Sequence, residues 1–301
     1  MIITVMLNSA IDVVVSKKDY EQYQKDGSKG YPVAAGKGLN VSRALYSLGC
    51  ESLCIALVGK EDVSFFTNAQ NELVNLKLIP VAGKTRRNIT ISDTDDGKEK
   101  HYITMGYKAD GTYLDLVIEA LKKNVSPGDY VICTGSLPED MPLDAYNRLL
   151  LLCNELGAYG IVDAGSNVLK CALSGKPFMI MPNEEEFLAL GMSGTLEEQI
   201  KKIAETNSID YVIVTLDAKG AIMYDHCSEQ MTTVNAFSGN RPIVTSVGSG
   251  DSAMAGFVYA LNRGDKALAA LELAMRCGYA NLFTEIPGEF DIKAVFDRDY
   301  Q

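Results

Sequence analysis

Short apolar runs alternate with stretches of helical period along most of the chain. Residues 2–7, 53–58, 130–133, 159–163, 178–181, 211–216 and 221–224 are almost continuously apolar, the pattern of strands covered on both faces. Between them, residues 39–48 place Val41, Leu45 and Leu48 on one helical face, with Gly49 where a helix end favours a left-handed residue. Residues 143–156 close on Gly157 in the same way, and 252–261 and 267–283 are helical stretches near the C-terminus. Strands interleaved with helices predict an α/β fold of three layers, a mostly parallel sheet between two layers of helices. No repeat, low-complexity tract or linker divides residues 1–301, so a single domain is expected.

Two segments break this rhythm. Residues 88–92 and 100–105 are β-like and flank Thr94-Asp95-Asp96-Gly97, where Asp-Gly signals a hairpin. Residues 12–16 continue as β after the first strand and run into the polar stretch 17–29. Together they predict a small accessory sheet, a lid built from about 12–34 and 86–108. An exposed apolar face on such strands would favour a homodimer through paired lids.

Charge narrows the partners. Against 39 Asp and Glu stand 28 Lys and Arg, a net charge of −11, which repels phosphate backbones and disfavours nucleic-acid binding. No run approaches the roughly 18–20 apolar residues of a membrane span. The seven cysteines are scattered and odd in number, which suits reduced thiols in the cytoplasm. Two histidines exclude a His-rich metal centre.

The most informative segment is Gly248-Ser249-Gly250-Asp251. A β-like stretch, 243–246, enters it and a strongly helical sequence follows. Glycines permit close approach, and a helix start aims unpaired N–H groups at one point, an anion site. Asp251 is either a helix cap or a base beside that site. A rival reading exists, because Gly248-Ser-Gly-Asp-Ser-Ala253 matches a dinucleotide fingerprint and Glu272 has the spacing of its ribose-binding acid. Few residues follow to complete such a domain, and Asp251 would set a carboxylate against a pyrophosphate. A second glycine turn, Gly36-Lys37-Gly38-Leu39-Asn40, adds a cation and an amide suited to a sugar and its phosphate. Arg86 and Arg87, in Thr85-Arg-Arg-Asn88, are paired in a chain otherwise short of positive clusters.

Taken together these residues resemble the ribokinase-like (PfkB) carbohydrate kinases, in the branch that holds 1-phosphofructokinase and tagatose-6-phosphate kinase. Leu7-Asn-Ser-Ala-Ile-Asp12 is similar to the opening strand whose terminal Asp holds sugar hydroxyls. Ala35-Gly36-Lys37-Gly38-Leu39-Asn40-Val41 is similar to the branch's Gly-Gly-Lys-Gly-Ile-Asn-Val, and Thr85-Arg86-Arg87-Asn88 to its Thr-Arg-x-Asn, whose Arg grips the substrate's phosphate. Gly135-Ser136-Leu137-Pro138 resembles its turn beside the sugar. The resemblance implies a water-mediated Mg²⁺ contact at Glu186 within Asn183-Glu184-Glu185-Glu186, and ATP near Asn183, Thr215, Gly220 and Asn281. It makes Asp251 the base, with the N–H groups of Ser249, Gly250 and Asp251 facing the transferring phosphoryl.

The expected activity is therefore ATP-dependent phosphorylation of a ketohexose phosphate. Two departures oppose nucleotide binding: Met181 stands where relatives usually carry Lys, and Asp217 where they carry Gly. They keep open a sugar-phosphate-binding or regulatory protein, and an NAD-dependent oxidoreductase remains a distant third reading.

Overall fold

The computed structural model describes residues 1–68, 74–93, 98–239 and 241–296. Among the described residues thirteen strands fall in two sheets. They are β1 (Ile2–Met6), β2 (Ala10–Ser16), β3 (Tyr31–Ala35), β4 (Ser52–Gly59), β5 (Val74–Val81), β6 (Arg86–Asp93), β7 (Lys98–Ile103), β8 (Tyr130–Thr134), β9 (Tyr159–Asp163), β10 (Met179–Ile180), β11 (Tyr211–Thr215), β12 (Ala221–Asp225) and β13 (Gln230–Val234).

The large sheet has nine strands in the order β13-β12-β11-β10-β9-β8-β1-β4-β5, all in one direction except β12, which is antiparallel to both its neighbours. Its strands are apolar on both faces because both are covered. Alternation along β1 sends Ile2 to one core and Ile3 to the other. On the Ile2 side, the helices Lys37–Ser47, Ser249–Asn262 and Ala267–Asn281 bury Leu45, Phe257 and Leu271. On the Ile3 side, Gly111–Asn124, Ala145–Glu155 and Leu196–Asn207 bury Leu114, Leu149 and Ile200. Each such side chain contributes about 1.5–3 kcal/mol. The result is the three-layer architecture expected.

Strand order fixes where a ligand fits. From β1 the chain runs outward through β4 to β5, then returns to β8 on the other side of β1 and continues to β11. The succession reverses at β1, and a crevice opens beyond the carboxyl ends of the strands at such a point.

The second sheet has four strands, in the order β3-β2-β6-β7. Ile11, Val13, Val15, Ile89 and Ile91 pack inward with Met6 and Leu39, while Val14, Tyr31 and Tyr102 are exposed. β6 and β7 pair antiparallel as anticipated; the turn at 94–97 lies outside the described residues.

Three expectations need correction. The first strand ends at Met6, and Asp12 belongs to β2, beside Val33 and Asn88. Residues 243–246 form no ladder; the amides of Val244 and Thr245 donate to the Leu282 carbonyl instead. No strand therefore feeds the 248–250 turn, and the dinucleotide fingerprint loses its context. The long helix ends at Asn281 rather than 283. Among the described residues no helix is long and apolar enough to cross a membrane, and all seven cysteines are free.

Candidate active site

Gly248 starts the site. Its φ of +83° turns the chain into the helix Ser249–Asn262, and an added Cβ would lie 2.6 Å from Pro287 Cβ, so only glycine fits. Gly250, one turn position on, faces open space. The Ser249 N–H donates to the Ser246 carbonyl at 3.3 Å. That leaves Gly250 and Asp251, whose first-turn amides have no intrahelical acceptor, as the anion-facing pair.

Asp251 is only 5% exposed. Its Oδ2 accepts from Asn40 Nδ2 at 2.9 Å. Burial pushes the carboxyl up to about 6, with Asp163 adding to the rise and Lys37 and Asn40 opposing it. A buried carboxylate with that affinity is a poised proton acceptor near neutral pH.

Asn40 and Lys37 reach this point because Gly36, at φ +126°, lies so near Met6 that a Cβ would meet Sδ at 2.2 Å. That approach starts the helix Lys37–Ser47 beside the helix Ser249–Asn262. Lys37 Nζ is 3.0 Å from Asp163 Oδ2. Loss of water would pull its pKa down, but Asp163, Asp251 and Glu186 outweigh this and hold it above its usual value. Asp163 also accepts from Thr134 Oγ1 at 2.9 Å. The sequence reading missed Asp163, although it ends a parallel strand at the face where ligands bind.

The four-stranded sheet carries Asp12, Arg86 and Asn88. Asn88 Nδ2 donates to Asp12 Oδ1 at 2.7 Å; burial raises the Asp12 pKa against that bond and the pull of Arg86 and Arg43. The Arg86 guanidinium reaches the carbonyls of Ser9 and Asn8 at 3.3 and 3.4 Å. Ser136 Oγ accepts from Asn8 Nδ2 at 3.0 Å, which anchors the 135–138 turn at the end of β1. The amide oxygens of both Asn40 and Asn88 are buried with no partner. Arg87 instead pairs with Asp62 at 3.3 Å.

The residues read as nucleotide contacts behave differently. Asn183 and Glu186 form a reciprocal capping box on the helix Glu184–Leu188, with bonds of 2.8 and 3.1 Å. The Thr215 amide donates to the Pro182 carbonyl at 3.1 Å, which sets these loops side by side. Gly220 passes so near β13 that a Cβ would meet the Val234 carbonyl at 2.0 Å. Asn281 is fully buried: its amide nitrogen donates to the Val247 carbonyl at 2.8 Å, and its oxygen accepts from the Gly288 amide at 2.8 Å. It braces the anion loop. Met181 is buried in the core, and Asp217 takes a left-handed φ of +49°, which explains why glycine suits that position. Among the described residues no cluster of three metal-ligating side chains occurs.

The chain has known relatives. A family model described as "pfkB family carbohydrate kinase" matches residues 5–286. The chain is 30% identical to a 1-phosphofructokinase of Bacillus subtilis over 299 residues, 95% of this chain and 93% of that protein. In structure it is similar to phosphofructokinase-2 from Escherichia coli in complex with potassium, with a TM-score of 0.82 at 20% identity over 98% of this chain and 96% of that one. Ribokinase from Thermotoga maritima shares the fold as well, with a TM-score of 0.75 at 18% identity and 98% of each chain covered. With the family model spanning residues 5–286 and a 1-phosphofructokinase matching at 30% identity along nearly the whole chain, the chain belongs to the pfkB carbohydrate kinases and is a phosphotransferase.

Proposed function

We propose that the protein transfers the γ-phosphoryl group of ATP to a hydroxyl of a ketohexose phosphate, as a 1-phosphofructokinase or tagatose-6-phosphate kinase does. The observation that carries this reading is Asp251, buried, aimed by Asn40 and adjoining the free first-turn amides. The acceptor's O–H proton passes to the Asp251 carboxylate while its oxygen forms a bond to the γ-phosphorus. The bond from phosphorus to the bridging oxygen breaks in line, and ADP leaves. The Gly250 and Asp251 N–H groups meet the charge on the moving group.

The residues present fit the acceptor. A polyol would satisfy the buried oxygens of Asn40 and Asn88, and Asp12 would accept from a sugar hydroxyl. Arg86, held only by backbone carbonyls at long range, and Lys37 supply positive charge for a phosphate already on the sugar. Asn183, Thr215, Gly220 and Asn281 shape the nucleotide side. Glu186 would hold Mg²⁺ through water, and the ion when bound neutralises charge on the nucleotide phosphates. A cytoplasmic homodimer joined through the exposed lid residues Val14, Tyr31 and Tyr102 completes the reading.

A coupled assay of ADP release over phosphorylated and free ketoses, with ATP and GTP as donors, tests it. Turnover confined to phosphorylated ketohexoses supports the proposal. Binding of sugar phosphate without ADP release would turn it into a binding protein, the reading that Asp217 and Met181 favour.

A further inference from the structure

Arg43 is a buried cation on the helix Lys37–Ser47, three residues after Asn40. Its Nη2 donates to the Ala34 carbonyl of β3 at 2.7 Å. Its Nε lies 3.3 Å from Oε1 of Glu289, whose side chain is half-exposed. Its Nη1 is buried and has no partner. β3 is the neighbour of β2, with Ala34 opposite Ile11 and Val33 opposite Asp12. The chain at Gly288 presses on the same helix, where a Cβ would lie 2.3 Å from the Asn40 carbonyl. A guanidinium taken out of water is costly unless its fork is used, and this fork joins the lid to the helix that carries Asn40.

We propose that Arg43 is a positioning residue for the sugar-phosphate acceptor: it fixes the lid strand beside Asp12 relative to the helix that aims Asn40 at Asp251. Loss of water lowers its pKa, with Glu289 and Asp12 as the main opposing charges, consistent with a cation that serves the acid side of the lid. The inference rests on the kinase reading for its kinetics but not for its structural part. Arg43 touches no reacting atom; it acts through β3 and Asp12.

The test is a pair of variants, Arg43→Met and Arg43→Lys, with Glu289→Gln at the half-exposed partner in case the buried change impairs folding. Arg43→Met is expected to raise KM for the sugar phosphate at least tenfold, with kcat and the KM for ATP within about threefold of wild type. Arg43→Lys recovers part of the loss, and Glu289→Gln moves KM in the same direction by less. Equal losses toward ATP and sugar, a loss in kcat alone, or unchanged kinetics in Glu289→Gln would overturn the assignment. Amide hydrogen exchange reads the coupling without substrate: in Arg43→Met or Glu289→Gln, the amides of β3 should exchange faster while those of the helix Ser249–Asn262 do not. Unchanged exchange in β3 would overturn the inference even in an active kinase. Faster exchange in an enzyme inactive on every ketose would uphold the coupling and count against the ketohexose-phosphate reading alone.

Discussion

Lys37 Nζ lies 3.0 Å from Asp163 Oδ2, so the cation proposed to meet the substrate's phosphate already answers to a carboxylate. That carboxylate also raises the pKa of Asp251, while Lys37 lowers it. Replacing Asp163 by Asn removes a like charge from the base and frees Lys37 to turn toward it, and both changes favour the ionised base. In Asp163→Asn the acid limb of kcat should move to lower pH, as a pH–rate profile would show. A shift to higher pH would contradict this coupling.

The wild-type profile follows from Asp251 itself. With the carboxyl at about 6 and activity requiring its ionised form, kcat/KM should rise through pH 6. Below that point it should fall about tenfold per pH unit. A limb near pH 4 in steady-state assays would mean that the base is solvated.

Asp251→Asn should separate turnover from stability. Loss of the base lowers kcat by about 10²–10⁴-fold. The folded carboxyl, at about 6 against an ordinary 3.8, binds its proton more tightly than the unfolded chain does. Stability therefore falls as pH rises from about 4 to 6 and stays lower above. The variant escapes this cost, so denaturant titration at pH 7.5 should show a gain on the order of 1–3 kcal/mol that vanishes below about pH 4.

Arg86 donates only to two carbonyls, at 3.3 and 3.4 Å. Arg86→Ala should raise KM for a phosphorylated ketose about 10–100-fold, as expected for a charge-assisted contact, and leave the free sugar nearly unchanged. Parallel steady-state assays of both acceptors decide it; equal losses would place the phosphate elsewhere.

Asp217→Gly relieves a left-handed aspartate and removes a carboxylate from the proposed nucleotide loop. The strain relieved and the backbone freedom gained offset to within about 1 kcal/mol, so Tm should barely move. The KM for ATP should fall, measured at saturating sugar.

How much of this was legible depended on how local each signal is. The two-sided apolar runs of β1, β4, β8, β9 and β11 read directly, because burial on both faces leaves no polar alternation to confuse them. β5, with Asn75 and Lys77 among its apolar residues, and β13, mostly polar at the sheet edge, carry no such mark. The helix Leu196–Asn207 was announced by Thr195 and Glu198, a capping box, and passed unread. At the site, Asp251 and Asn40 were legible because glycine turns point to them. That the two would bond across the chain was not, since helix packing sets that contact. Asn281 is named by the family resemblance alone; its bonds to the Val247 carbonyl and the Gly288 amide form only when the 281–288 segment folds back, which no local signal shows.

That brace ties the two ends of the sequence to one pocket. The pocket draws Asp12 from the start of the chain and leans on Asn281 and Gly288 near its end. Contacts made by residues 281–288 thus reach both turns at once, with Asn281 on the Val247 carbonyl and Gly288 against the Asn40 carbonyl, so a change in that segment would be felt by both.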